Sequence, residues 1–466
     1  MTLVAGVDCS TQSTKVVVCD AGSGEVVREG RAPHPDVTEI DALLWWRAWG
    51  KASDGLLDGV EAMAVGGQQH GMVLVDDSGA PVRDALLWND NRSAREALAL
   101  IDELGGAQAW ADATGSIPVA SFTVTKLRWV CEHEPEIADR AQGVLLPHDW
   151  ITHQLRGAVG EPTTDRGDAS GTGYWSPADG DYRTDLLRTA FGRELAVPRV
   201  AGPREEVGQT AEGIRLAPGT GDNMAAALGL DLRPGDVAVS LGTSGTVFAM
   251  ADEPTADPTG VIAGFADATG HFLPLVCTLN AARVVGAALQ MAGSSLSDLD
   301  RLALSTPDTE GLVLLPFLDG ERTPSLPHAR GLLHGLTRAN ATPAHLVRAS
   351  VEGMLCGLAD AAEALAASGV TPRRIVLVGG AARSAAVRQI AAGLFDLPVA
   401  VPEPAEYVAL GAARQAAWML TGGDAPPTWA LQESVVEPEA SSADYYRRVR
   451  ECYAAVLSDA QPLLTR

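Results

Sequence analysis

Lysine is almost missing from this chain: Lys15, Lys51 and Lys126 are the only three in 466 residues. Arginine and alanine stand in for it, the mark of a GC-rich genome rather than of a function. Positive charge is short overall, with a formal net charge of −24 and a pI near 4.7. A nucleic-acid binder needs a basic face, so that class is excluded. The same deficit means that an anionic ligand has to be held by local donors, because the overall field repels it. The six cysteines (Cys9, Cys19, Cys131, Cys277, Cys356, Cys452) form no CxxC pair, which excludes a zinc ribbon and a disulfide framework. Reduced thiols in the cytoplasm are the expectation. No apolar run approaches the roughly 20 residues of a membrane span. No basic stretch precedes the first strand-like segment, so neither a signal peptide nor a membrane partner is expected.

What is present is the balance of a globular protein, 46% apolar and 20% charged. The length is too great for one hydrophobic core and suits two large domains. Leu3 to Val7 and Lys15 to Cys19 read as strands joined by a polar turn, and Val26 to Arg31 as a third antiparallel strand. Asp41 to Leu57 has helical spacing behind a capping residue. Glu61 to Val65 is a strand running into Gly66-Gly67-Gln68-Gln69-His70-Gly71. This order predicts an α/β domain with a mixed sheet. The opening has a weak echo about 230 residues later, where Asp236 to Ser240 and Thr246 to Met250 flank Leu-Gly-Thr-Ser-Gly. Arg374 to Val378 runs into Gly379-Gly380-Ala381-Ala382-Arg383-Ser384 and a helical stretch. The expected division is residues 1–228 and 229–466, with the boundary in the Gly- and Pro-rich stretch Ala217 to Pro234.

The opening hairpin poses a chemical question. Its turn sets Ser10, Thr11, Gln12, Ser13 and Thr14 between Asp8 and Lys15, more donors than a turn requires. Backbone N–H groups of small residues converge on an anion, and Lys15 adds a point charge suited to phosphate. Asp8 repels phosphate but holds Mg²⁺ through water. A solvated hairpin explains one such turn equally well; its recurrence at Gly242, Thr243 and Ser244 favours phosphate. Gly379, Gly380, Ala381 and Arg383 open a helix where a backbone can approach a nucleoside. Asp222 begins an Ala-rich helix and reads either as its cap or as the base that phosphoryl transfer requires. Gln69 and His70 end one strand; Trp88, Asn89 and Asp90 end another. Amides, an imidazole and an indole face suit a sugar, although each alone is commoner as a core residue. Trp45, Trp46 and Trp49 read as core, and His133, His148 and His153 as structural, without ligand spacing. The helix Pro343 to Ala366 is expected to pack between the domains.

These segments resemble the FGGY family of carbohydrate kinases over nearly the whole chain. Ser121 to Glu134 (SFTVTKLRWVCEHE) and Arg330 to Gly353 are similar to its two signatures, and Leu315 to Pro324 and Ser240 to Gly245 to further family segments. The resemblance implies a two-domain actin/Hsp70-like (ribonuclease H-like) ATPase fold with its active site in the interdomain cleft. It implies ATP and Mg²⁺ and a small-molecule sugar, and a homodimer is a family-level expectation. Within the family, Gly66 to Gly71, Leu86 to Asp90 and Gly219 to Gly229 look most like the branch acting on D-xylulose. There Asp222 is the catalytic base with Asn223 beside it, Gln69 and His70 bind the sugar, and Asp8 lies near Mg²⁺ and the phosphates. Two residues depart from the pattern: Ser10 replaces a glycine of the first turn, and Gln69 replaces a common methionine. The rival readings are a kinase of ribulose or another polyol, a chaperone-like or cytoskeletal actin-fold ATPase, and an inactive sugar sensor.

Overall fold

The computed structural model describes residues 1–465. The chain forms two compact units. Unit 1 holds residues 1–232, 251–274 and 405–431; unit 2 holds 233–250, 275–404 and 432–466. The expected single break after residue 228 differs from this in two segments that return to unit 1.

Unit 1 is built on a mixed sheet. Leu3–Cys9 pairs antiparallel with Ser13–Asp20 and parallel with Val60–Gly67, and Val26–Pro33 extends the antiparallel side. The period-2 pattern of the strands gives each face its own core. Ala5, Val7, Val16, Met63 and Val65 meet Trp45 and Trp49 of the helix Ala42–Ala52, with Trp150 and Ile151. Val4, Val17, Ala62 and Ala64 meet Ala409, Ala412, Ala413 and Ala416 of the helix Tyr407–Thr421. That helix explains why residues 405–431 return. It lies so close to the sheet that a Cβ on Gly6 would stand 1.8 Å from the Ala409 carbonyl oxygen. A Cβ on Gly411 would stand 1.8 Å from the carbonyl oxygen of Ala225 in the helix Asp222–Gly229. Only backbone and small side chains fit such a contact.

Register then places the functional strand ends together. Asp8 pairs with Lys15 on one side and Gly66 on the other, and the short strand Thr220–Gly221 pairs with Gly66 and Gly67. Asp8, the Gly66–Gly71 segment and Asp222 therefore leave the same end of the sheet.

Unit 2 repeats the scheme. Asp236–Leu241 and Gly245–Ala249 form an antiparallel hairpin whose first strand runs parallel with Arg374–Val378, followed by Val399–Pro402 and Glu433–Val436. The helix Pro343–Ala367 is a core helix of this unit, packed on its helices Ala282–Met291, Leu299–Ala303 and Ala385–Phe395. Among the described residues no helix is long and apolar enough to cross a membrane.

Replacing Gly6 by Val forces a methine into the Ala409 backbone, so Gly6→Val is expected to lower stability by about 3 kcal/mol or more. A urea midpoint within error of the parent would contradict the close packing.

Candidate active site

The polar turn of the first hairpin is tied from an unexpected quarter. His34 bonds through Nε2 to the Thr14 hydroxyl (2.9 Å) and through Nδ1 to the Ser10 carbonyl oxygen (3.0 Å). Ser10 N donates to Ser13 O at 3.1 Å, closing the turn and leaving Thr11 and Gln12 at its tip. Asp8 is buried, with Oδ2 3.1 Å from the Lys15 ammonium and Oδ1 lacking any hydrogen-bond partner. Burial raises its pKa against the pull of Lys15. Lys15 was expected as a free phosphate charge. It instead bridges Asp8 and Glu406, at 2.7 Å from the latter, because two carboxylates flank it in an acidic protein.

Asp222 is the first residue of its helix, with Gly221 in the cap position, so the capping alternative does not describe it. Its Oδ1 accepts from the backbone N (2.8 Å) and the Nδ2 (3.0 Å) of Asn223. Burial, with the like charges of Asp8 and Asp168, pushes its pKa up to about 7. Asn223 Nδ2 also donates to Gln69 Oε1 at 3.0 Å, which leaves the buried Gln69 Nε2 as a donor without a partner. His70 follows in a left-handed backbone conformation, φ 65°, with Nδ1 2.5 Å from the Gly171 carbonyl oxygen and its ring stacked on Phe122. The second strand end reaches the same turn: Trp88, half-exposed, donates from Nε1 to Thr11 Oγ1 at 2.8 Å. Asn89 Oδ1 is buried and unpartnered.

Asp90 is placed differently from the expectation of a sugar contact. Its two oxygens accept from Arg92 Nε (2.8 Å) and Nη2 (2.9 Å), and Arg92 continues to Glu39. Burial works against the charge, yet these bonds hold the carboxyl below its ordinary pKa. Asp90 is a strut of the loop, its acceptor capacity taken by an arginine two residues away.

His148, expected to be structural, sits in a cluster of buried carboxylates. Its Nδ1 lies 2.5 Å from Asp168 Oδ2 and its Nε2 3.3 Å from Asp149 Oδ1, all three residues buried. Asp165 completes the cluster, accepting from Thr220 Oγ1 at 2.7 Å directly ahead of Asp222. Burial lowers the affinity of His148 for its proton, but the surrounding carboxylates outweigh that and hold its pKa up at about 9. With both ring nitrogens turned to carboxylates, His148 is placed to carry a buried positive charge.

Unit 2 carries the other expected group. Gly242, Thr243 and Ser244 form an exposed turn, with Gly242 O accepting from Ala282 N at the start of the helix Ala282–Met291 (3.0 Å). Gly379 has φ 97°, and a Cβ there would meet the Leu241 carbonyl oxygen at 2.5 Å, so only glycine serves. Gly380, Ala381 and Arg383 line a cavity of about 850 Å³ together with Val285, Leu289 and Leu296 and the polar Gln290 and Asp300. That volume, with its apolar and polar lining, accommodates a nucleoside.

The His148 cluster makes a stability prediction. A histidine whose folded pKa is raised from 6.5 to about 9 contributes stability that is complete below 6.5 and lost as pH rises through 9. Across that window its own contribution should fall by about 1 kcal/mol per pH unit, while Lys126, whose pKa burial lowers to about 7, contributes a slope of the opposite sign. In His148→Gln that part of the slope should vanish; an unchanged slope in denaturant titrations would contradict a charged His148.

Comparison with known proteins agrees with this geometry. Residues 3–229 match the N-terminal domain of the FGGY family of carbohydrate kinases and residues 237–420 its C-terminal domain. The chain is 47% identical to a xylulose kinase of Streptomyces coelicolor and 45% identical to one of Streptomyces rubiginosus, in each case over 100% of this chain and 98% of the relative. The crystal structure of xylulose kinase from Bifidobacterium adolescentis superposes with a TM-score of 0.90 at 43% identity, covering 98% of this chain and 99% of that one. A Plasmodium falciparum glycerol kinase solved with ADP has the same fold, TM-score 0.87 at 17% identity over 99% and 98% of the two chains. The chain belongs to the FGGY family of carbohydrate kinases.

Proposed function

We propose that this kinase transfers the terminal phosphoryl group of ATP to D-xylulose, giving D-xylulose 5-phosphate and ADP. The observation that carries the reading is a half-buried carboxylate of raised pKa, Asp222, joined through Asn223 to a buried amide with an unused donor, Gln69. The xylulose kinases that match the chain end to end support the choice of sugar.

In this reading Gln69, His70, Asn89 and Asn223 take the hydroxyl and carbonyl groups of the ketose, and Trp88, its Nε1 engaged by Thr11, offers the face of its indole. Asp222 accepts the proton of the terminal hydroxyl while the O–P bond forms and the bond from the γ-phosphorus to the ADP oxygen breaks. A base with a pKa near the working pH serves best, since it is largely ionised yet still basic. The backbone donors of Thr11 and Gln12 at the tip of the first turn and those of Gly242 to Ser244 hold phosphate oxygens, with the hydroxyls of Ser10 and Ser13 beside them, and Gly379 to Arg383 hold the nucleoside. The unpartnered Asp8 Oδ1 fits a water-held Mg²⁺, whose charge would offset that of the phosphates. Lys15 opposes the rise that burial imposes on the Asp8 pKa. The six cysteines form no disulfide among the described residues, in keeping with a reducing, cytoplasmic setting.

Asp222→Asn should lower kcat for D-xylulose by about 10²–10⁴-fold with the circular dichroism and melting temperature preserved. The parent kcat/KM should fall on the acid side with a midpoint near 7, where Asp222 takes up its proton. Near-parental turnover by the variant would remove Asp222 from the mechanism.

A further inference from the structure

Lys126 is fully buried, with no carboxylate within ion-pair distance among the described residues. It is one of three lysines in the chain, and such a group is rarely placed in a core without partners. Its ammonium donates instead to two backbone carbonyls, those of His70 at 2.8 Å and of Ser121. The His70 carbonyl receives a second donor, the Thr123 hydroxyl, at 3.3 Å. Both donors come from the first turn of the helix Thr123–His133, three residues apart and so on one face. Phe122, the cap of that helix, stacks on the imidazole with ring centroids 4.6 Å apart. One helix end thus grips both the backbone and the ring of His70.

The grip has a reason in the backbone. His70 has φ 65°, a region that residues with a side chain enter seldom and hold only when their surroundings impose it. It lies beside Gly71, in a segment rich in glycine that has little stiffness of its own. We propose that Lys126 is a positioning residue for the sugar site, holding the His70 carbonyl so that the imidazole is fixed in its sugar-binding orientation before the ketose arrives. This rests on the reading that His70 contacts the ketose.

The pKa of Lys126, lowered to about 7 by burial against the pull of Asp90, agrees with an ammonium that depends on carbonyl oxygens alone. If His70 spends only a fraction of its time in the competent conformation, apparent affinity for the sugar falls by that fraction while the chemical step is unaltered. Releasing the carbonyl should therefore raise KM for the ketose and spare kcat.

The test is a double-mutant cycle on the full-length enzyme, with KM for D-xylulose, KM for ATP and kcat measured for the parent, Lys126→Met, His70→Ala and the double variant. Methionine keeps the length and packing of lysine and removes the donor. Lys126→Met should raise KM for D-xylulose by about 10-fold or more, the loss of a charge-assisted hydrogen bond, with kcat and KM for ATP near parental values. In the His70→Ala background the same change should add little, because the residue it positions is gone. A parental KM for the ketose in Lys126→Met, or additive effects of the two changes, overturns the proposal. A parental KM in His70→Ala overturns the sugar-site reading and this proposal with it, and so is distinguished from failure of Lys126 alone. If Lys126→Met does not fold, Lys126→Gln, which keeps an amide donor of shorter reach, is read in the same cycle with the same criteria.

Discussion

Two carboxylates, Asp8 and Asp222, are held in low-dielectric surroundings within each other's field, and the rest of unit 1 is arranged around that repulsion. Left alone, neither would stay ionised, since burial and a like charge both favour the protonated form. The protein treats the two differently. Asp8 is given Lys15 directly across the strand pair, so a cation neutralises it. Asp222 is given backbone and amide donors but no cation, and its pKa rises to about 7. Asp8 keeps one oxygen, Oδ1, without a protein partner, and Asp222 is poised to exchange a proton. In a chain of net charge −24 this local placement matters more than the overall field.

The geometry that brings the pair together is set by small residues. Gly6 lets the helix Tyr407–Thr421 lie against the central strand, and Gly411 lets the helix Asp222–Gly229 lie against that helix in turn. The same close stacking carries Glu406 to Lys15 and Asp222 to the sheet end where Asp8 emerges. Beneath this layer the polar interior is unusually charged. His148 with Asp149, Asp165 and Asp168 anchors the strand that precedes Asp222, and Lys126 anchors His70. A buried ion pair is weak evidence for stability, because desolvation consumes most of its Coulomb energy. Such groups are better understood here as fixing one geometry of the strand ends.

Much of this was legible in the sequence where the signal was local. The hairpin turns, the strand-to-glycine junctions and Asp222 at a helix start all announce themselves within a few residues. Most strands run up to three residues beyond the spans expected from sequence, Arg374–Val378 matches its span and Gly245–Ala249 is shifted by one, while the helix from Asp41 ends early because Ser53 closes it ahead of Gly55. What escaped depends on partners far apart in the chain. The bond of His148 to Asp168 spans 20 residues, and the locking of the first turn by His34 spans 24. Asp90 looked available because a neighbouring arginine gives no hint of its direction. The return of residues 405–431 to unit 1 follows from an alanine-lined groove that exists only once the sheet has formed.

The central claim is that the pocket ending in Gln69 and His70 selects a ketopentose for phosphorylation by ATP. ADP release with Mg²⁺ and ATP, compared across D-xylulose, D-ribulose, L-ribulose, L-xylulose, glycerol and no sugar, tests it most directly. The account predicts kcat/KM for D-xylulose well above every other acceptor and negligible release without sugar. Equal release with and without sugar, or a clear preference for glycerol, would contradict it.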